Sequence, residues 1–111
     1  MKLYLFGPMQ GILHSNREVF TVARENLRDM GHDVFCPSEF SHKFNVTDIR
    51  ECMKVDLAWI IKDAEGLVGL EGWRKSKGAL VEVHLAWLLG LPVYEYEFFS
   101  RRILREVRSL G

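Results

Sequence analysis

The sequence predicts one α/β domain in which a parallel sheet of four strands lies between helices. Three observations carry that expectation. Short apolar runs of strand length alternate with longer segments whose apolar residues recur at helical spacing. Glycine or proline marks most of the junctions between them. The 111 residues suit a single domain over 1–111 and leave no room for a second. Strands that alternate with helices imply parallel pairing through right-handed crossovers.

The elements follow in order. Leu3 to Phe6 is an apolar run ended by Gly7-Pro8, a strand buried on both faces followed by a turn. Ser15 and Glu18 have the spacing of a capping box, so a helix is expected to begin there. Val19, Phe20, Ala23 and Leu27 form its stripe, and Gly31 its C-cap. Asp33 to Cys36 is a second strand, stopped by Pro37. After a loop at 38–46, a second helix is expected from about Thr47 to Lys62, with Ile49, Met53, Leu57 and Ile60 as its stripe. Gly66 to Leu70 is the third strand and 71–77 a polar loop. A third helix is expected from Gly78 to Leu89 with Gly90 as C-cap, then a fourth strand from Pro92 to Tyr96. The arginine-rich tail, with Arg101, Arg102, Arg105 and Arg108, is expected to form a last helix. The result is a Rossmann-like (flavodoxin-like) sheet of order 2-1-3-4. Its ligand side lies beyond the carboxyl ends of the strands, at Gly7 to Gly11, Pro37 to Phe40 and Glu71 to Lys77.

Composition excludes several classes. Fifteen basic residues balance fifteen acidic ones, which argues against a nucleic-acid polymer or a membrane surface as the partner. No apolar stretch approaches the roughly 20 residues that span a bilayer. The chain opens on a strand-like run rather than a targeting segment, and a cytoplasmic protein is expected. Cys36 and Cys52 read as reduced thiols, since neither belongs to a C-x-x-C pair. His84 stands two positions from Glu82 and on a helix points elsewhere, and His14, His32 and His42 have no metal-ligand spacing. No metal and no cofactor is expected.

Two carboxylates interrupt otherwise apolar stripes. At about 100° per residue, Asp56 falls beside Met53 and Ile60, and Glu82 beside Ala79, Val83 and Ala86. A charge on an apolar face is costly unless it is paired, hydrogen-bonded or open to a cleft. Each carboxylate alone is equally read as the solvated edge of its stripe; two on helices flanking neighbouring strands point to a paired site of the kind that divides nucleophilic and acid–base roles in glycosyl chemistry. The segment Trp73-Arg74-Lys75-Ser76-Lys77-Gly78 is a basic loop opening into a helix, where backbone N–H groups favour anions and Ser76 adds a hydroxyl. Trp73 offers a flat apolar face there, or else a packing residue of a solvated loop. Gly7-Pro8-Met9-Gln10-Gly11 lacks the G-x-G-x-x-G spacing of a dinucleotide fingerprint.

Tyr4-Leu5-Phe6-Gly7-Pro8, Asp56-Leu57 before a strand, Ser76-Lys77-Gly78-Ala79-Leu80-Val81-Glu82 opening a helix, and Gly90-Leu91-Pro92-Val93 together resemble the nucleoside 2-deoxyribosyltransferase superfamily, over roughly residues 3 to 96. The resemblance extends to deoxynucleoside 5′-monophosphate N-glycosidases. It implies that Glu82 attacks the anomeric carbon, that Asp56 assists proton transfer or orients the substrate, that Tyr4 orients the glutamate and that Ser76, as in the monophosphate hydrolases, holds a phosphate. It implies substrate contacts at Gly7, Pro8, Met9, Gly11, Trp73, Ser76 and Gly78. Gln10 stands where the hydrolases carry an arginine, and the polar residue they borrow from a neighbouring subunit has its nearest counterparts here in Ser100 and Arg105.

The expected function is cleavage of the N-glycosidic bond of a 2′-deoxynucleotide or nucleoside, by hydrolysis or deoxyribosyl transfer. The alternative is a non-catalytic nucleotide-binding or regulatory module on the same scaffold. The expected partners are a small-molecule nucleotide or nucleoside and further copies of the chain. Trp59, Trp87, Phe98 and Phe99 exceed what so short a chain easily hides, which points to a homodimer or larger homo-oligomer.

Overall fold

The computed structural model describes residues 1–8, 16–37 and 49–110. Its sheet has five strands in the order β2-β1-β3-β4-β5: β1 (Lys2–Phe6), β2 (Asp33–Phe35), β3 (Gly66–Gly69), β4 (Val93–Glu97) and β5 (Arg102–Glu106). The first four pair parallel in the predicted order, with Tyr4 of β1 set between Phe35 of β2 and Leu67 of β3. Among the described residues three helices flank the sheet: α1 (Arg17–Asp29), α2 (Ile49–Lys62) and α3 (Lys77–Leu88).

Strand alternation divides the core into two layers. Leu3, Leu5, Val34 and Val68 face α1, which lays Phe20, Ala23 and Leu27 on them. Tyr4, Phe6, Phe35, Leu67 and Val93 face α2 and α3, which contribute Ile60, Ala79, Val83 and Ala86. Both α1 and α3 end in Schellman motifs. Gly31 (φ 96) and Gly90 (φ 76) take the left-handed position. His32 and Leu91 each return an N–H to the helix, to Leu27 O at 3.1 Å and Ala86 O at 2.8 Å. These bonds set the points at which the chain turns back into β2 and β4.

Four expectations change. The tail is a strand, not a helix: β5 pairs antiparallel with β4 after the turn at 98–101, with a register shift between Glu95 and Tyr96. The open edge of β4 supplies unpaired backbone groups, and a tight turn lets the next residues satisfy them at once. Helix α1 begins at Arg17 with Asn16 at its N-cap, in the left-handed region and without a side-chain cap bond, while Ser15 lies outside the described residues. Ile49, at the first residue of α2, is exposed, so the buried stripe of that helix is carried by Asp56 and Ile60. Trp59 and Trp87 pack against the core, and Trp87 donates to Val107 O at 3.3 Å, whereas Phe99 is 94% exposed. The loop at 38–46 and Thr47 lie outside the described residues. Among the described residues no helix is long and apolar enough to cross a membrane.

Gly69 ends β3 where Phe6 and Trp73 meet edge to face. A Cβ there would stand 2.6 Å from Phe6 Cζ and 3.0 Å from Trp73 Cδ1. Gly69→Ala is expected to cost about 1–3 kcal/mol through overpacking, read from urea unfolding; an unchanged midpoint would show that the ring pair yields freely.

Candidate active site

Tyr4 sits at the middle of β1, the strand flanked by β2 and β3, and alternation turns its ring toward α2 and α3. The ring is fully buried and stacks on Phe35, with centroids 5.6 Å apart; Phe35 in turn stacks on Trp59 at 5.0 Å. Three packed aromatics fix where the phenol oxygen lies. That oxygen donates to Glu82 Oε2, from the second turn of α3, and the buried carboxyl of Asp56, from the middle of α2, lies close enough to act on both groups through its charge. Both carboxyl groups are buried. The three residues singled out as catalytic in the sequence are therefore one buried, electrostatically coupled group.

The chemistry of this group follows from its shortage of protons. A phenol has one proton to give, and two ionised carboxylates only accept. Two carboxyls beside one hydroxyl are well accommodated only when one of them carries a proton. Burial raises both: Asp56 is pushed up to about 6 and Glu82 to about 8, with the Tyr4 hydroxyl pulling each back and the Asp56 charge adding to the rise at Glu82. Burial, then the charges of Glu82 and Asp56, hold the Tyr4 phenol well above its ordinary value. Burial thus makes the pair retain a proton at neutral pH.

Ser76 is the N-cap of α3, and its Oγ accepts from Ala79 N at 3.3 Å. A hydroxyl that accepts still has its own proton to donate. Gly78 occupies the first turn of α3, and a Cβ there would meet nothing within 4 Å, so packing does not explain the glycine. Gly7 is explained by packing, since a Cβ would stand 2.9 Å from Leu70 Cβ. Pro8 is half-buried at the end of β1. Met9 and Gly11 lie outside the described residues, as do Gln10, His14 and His42.

Trp73 does not present an open face. It is buried in the core, its indole N–H lies 3.4 Å from Glu95 Oε1, and the Arg74 guanidinium lies 4.4 Å over its ring. Arg74 and Arg105 grip the two oxygens of Glu95, which hold that carboxyl below its usual range against the cost of burial. Glu95 was missed in the sequence. Its signal was an acidic residue one alternation after the buried Val93, in the middle of a strand.

A recess of about 260 Å³ lies beyond the carboxyl ends of β1 and β3, on the α1 side, between Pro8, Leu70, Glu71 and Phe98. A wider one, about 440 Å³, opens at the far end of β4 beside Trp87 and Val107, away from the carboxylates. Among the described residues no three histidine, cysteine or acidic side chains gather as metal ligands.

The chain is an α/β domain with a mostly parallel sheet and a buried carboxylate pair beside a buried tyrosine. The chain belongs to the family described as Domain of unknown function (DUF4406), whose model matches residues 1–95 and so includes Tyr4, Asp56, Ser76 and Glu82 but not β5. No curated protein and no solved structure matches it.

The raised value at Glu82 has a sign for stability. A carboxyl that binds its proton more tightly when folded stabilises the fold fully below its unfolded value of about 4.3, and loses that contribution as pH rises through about 8. Glutamine keeps an oxygen for Tyr4 and cannot ionise. Glu82→Gln is therefore expected to be more stable than the native chain at about pH 9, by on the order of a few kcal/mol, with the gap closing toward about pH 4. Urea titrations at both ends test this; equal native stability across the range would sink the retained-proton reading.

Proposed function

We propose that the chain cleaves the N-glycosidic bond of a 2′-deoxynucleotide or nucleoside through a glutamyl intermediate. The observation that carries the reading is the buried Asp56–Tyr4–Glu82 group. The two carboxyls act through their charges on the same phenol, and Asp56 on Glu82, so they lie close together. Retaining glycosidases hold their pair about 5–5.5 Å apart, close enough for one carboxylate to attack the sugar directly. The resemblance to nucleoside 2-deoxyribosyltransferases assigns the same three positions.

In the reaction the retained proton lies on Asp56 while Glu82 accepts from the Tyr4 hydroxyl. Glu82, ionised, attacks C1′. The C1′–N bond breaks with its electron pair on the base, and Asp56 gives the proton to that nitrogen. Asp56, now ionised, accepts a proton from the water that opens the glycosyl ester; a second base in place of water gives transfer. Ser76 and the first turn of α3 lie on the side where a 5′-phosphate would meet backbone N–H groups.

One observation favours the alternative, a non-catalytic nucleotide-binding module: burial strengthens the hold of Glu82 on a proton, which opposes its nucleophilic form. Incubation with the four deoxynucleoside monophosphates and the four deoxynucleosides, with free base followed by chromatography, separates the two. Base release is expected, with kcat greatest where the pair holds one proton, between about pH 6 and about pH 8. Glu82→Gln is expected to cut kcat at least about 10³-fold while nucleotide still binds, and Asp56→Asn about 10²-fold, most for poor leaving bases. Nucleotide binding without base release from any of the eight would leave the module reading standing.

A further inference from the structure

The recess beyond the carboxyl ends of β1 and β3 takes no part in the carboxylate chemistry. Leu70 and Tyr96 in its wall belong to the core layer packed on α1, whereas Tyr4 lies in the opposite layer with α3 and Glu82. The sheet stands between them. At about 260 Å³ the recess falls below the roughly 300–1,000 Å³ of pockets for drug-sized ligands, so it admits one ring system rather than a whole nucleotide.

Asn16 and Glu71 supply its polar groups. An asparagine at an N-cap normally accepts from a first-turn N–H, yet the Asn16 side chain makes no such bond, and its backbone is left-handed at φ 60. Glu71 is exposed, and no ion pair among the described residues holds its carboxylate. Phe99, 94% exposed, meets Phe98 edge to face at 6.3 Å, and the Arg101 guanidinium stands 5.8 Å from the centre of the Phe98 ring. Among the described residues, Asn16 and Arg101 (φ 53) alone take left-handed backbone without being glycine. Both border this recess, and such conformations gather at ligand sites.

We propose that the recess binds a guanine ring. A carboxylate presents two oxygens that accept side by side, and guanine carries two adjacent donors on one edge, the N–H of its ring and its exocyclic amino group. Glu71 accepts both. The guanine carbonyl next to them accepts from the Asn16 amide, and the open face of Phe99 takes the ring by stacking, which is how proteins read an unpaired base. Adenine sets a ring acceptor where the carboxylate needs a donor. An organic cation would suit Glu71 and the phenyl rings, but Arg101 already brings a positive charge to Phe98 and repels a second. The proposal stands apart from the glycosidase reading, since this site lies across the sheet from Glu82.

Isothermal titration calorimetry with 9-methylguanine, which has no glycosidic bond to cleave, tests it. One site per chain is expected, with 9-methyladenine at least about 10-fold weaker because it leaves the carboxylate facing an acceptor. Glu71→Gln is expected to weaken 9-methylguanine about 10-fold or more, and Phe99→Ala about 5-fold or more. Glu82→Gln is expected to leave its Kd unchanged. Both recess positions are exposed, and circular dichroism checks each fold; should one variant fail to fold, the other is read with the 9-methyladenine comparison. No binding at millimolar 9-methylguanine overturns the proposal, as does equal affinity for 9-methyladenine. So does an affinity that survives both recess variants, or one lost in Glu82→Gln. Tighter binding of tetramethylammonium than of 9-methylguanine would mark a cation site and overturn it as well.

Discussion

The site depends on one hydroxyl oxygen. Tyr4 lies at the centre of the sheet's parallel core, and its oxygen is the point where α3 meets β1 through polar atoms. Removing that hydroxyl would take from the buried Glu82 carboxyl the donor it now has, and an unpaired buried charge is among the costliest features a small domain can hold. The stacked Phe35 and Trp59 have the corresponding task on the apolar side, since they hold the phenol ring where both carboxyls reach it. Stability and reactivity thus draw on the same constraint. The packing that desolvates Asp56 and Glu82 also raises their affinity for protons, and that makes a retained proton available at neutral pH.

The parallel half of the fold was legible because its signals are local. Leu3 to Phe6 and Gly66 to Leu70 are apolar runs bounded by turns, and Gly31 and Gly90 stand where left-handed caps are needed. The tail was not legible, because Arg102 to Glu106 has strand character only against the free edge of β4, a neighbour that no window of sequence contains. Helix phase found Asp56 and Glu82, since each breaks an apolar stripe. It also placed Ile49 in a stripe that the packing does not begin until further along the helix. Trp73 and Glu95 illustrate the other limit. An indole beside two cations in a polar loop is equally suited to ligand and to core, and only the tertiary position of Glu95 decides for the core by pairing with both Arg74 and Arg105.

The loop that opens α3 joins several of these features. It carries Trp73 into the core beneath Arg74, leads through Gly72 at φ 88 into a short helical turn (Trp73–Lys75), and ends at the Ser76 cap. Glu95 ties this loop to β4 and, through Arg105, to β5. The start of the helix that bears Glu82 is therefore braced from the sheet rather than from solvent. Its position is set by the same strands that set Tyr4.

The added fifth strand also governs how molecules meet at high concentration. Without β5, the parallel sheet would end on β4, whose Val93, Tyr94 and Tyr96 make an adhesive border for another sheet. With it, the border is Arg102, Arg105 and Glu106, all exposed, and a charged outer strand resists edge-to-edge growth. The hairpin is held in register by Asn26 of α1, which donates to the Tyr96 hydroxyl at 2.9 Å and to the carbonyl of Arg101, a residue at φ 53 in the turn. A single asparagine on the helix behind the sheet thereby helps keep the protein from polymerising through its strands.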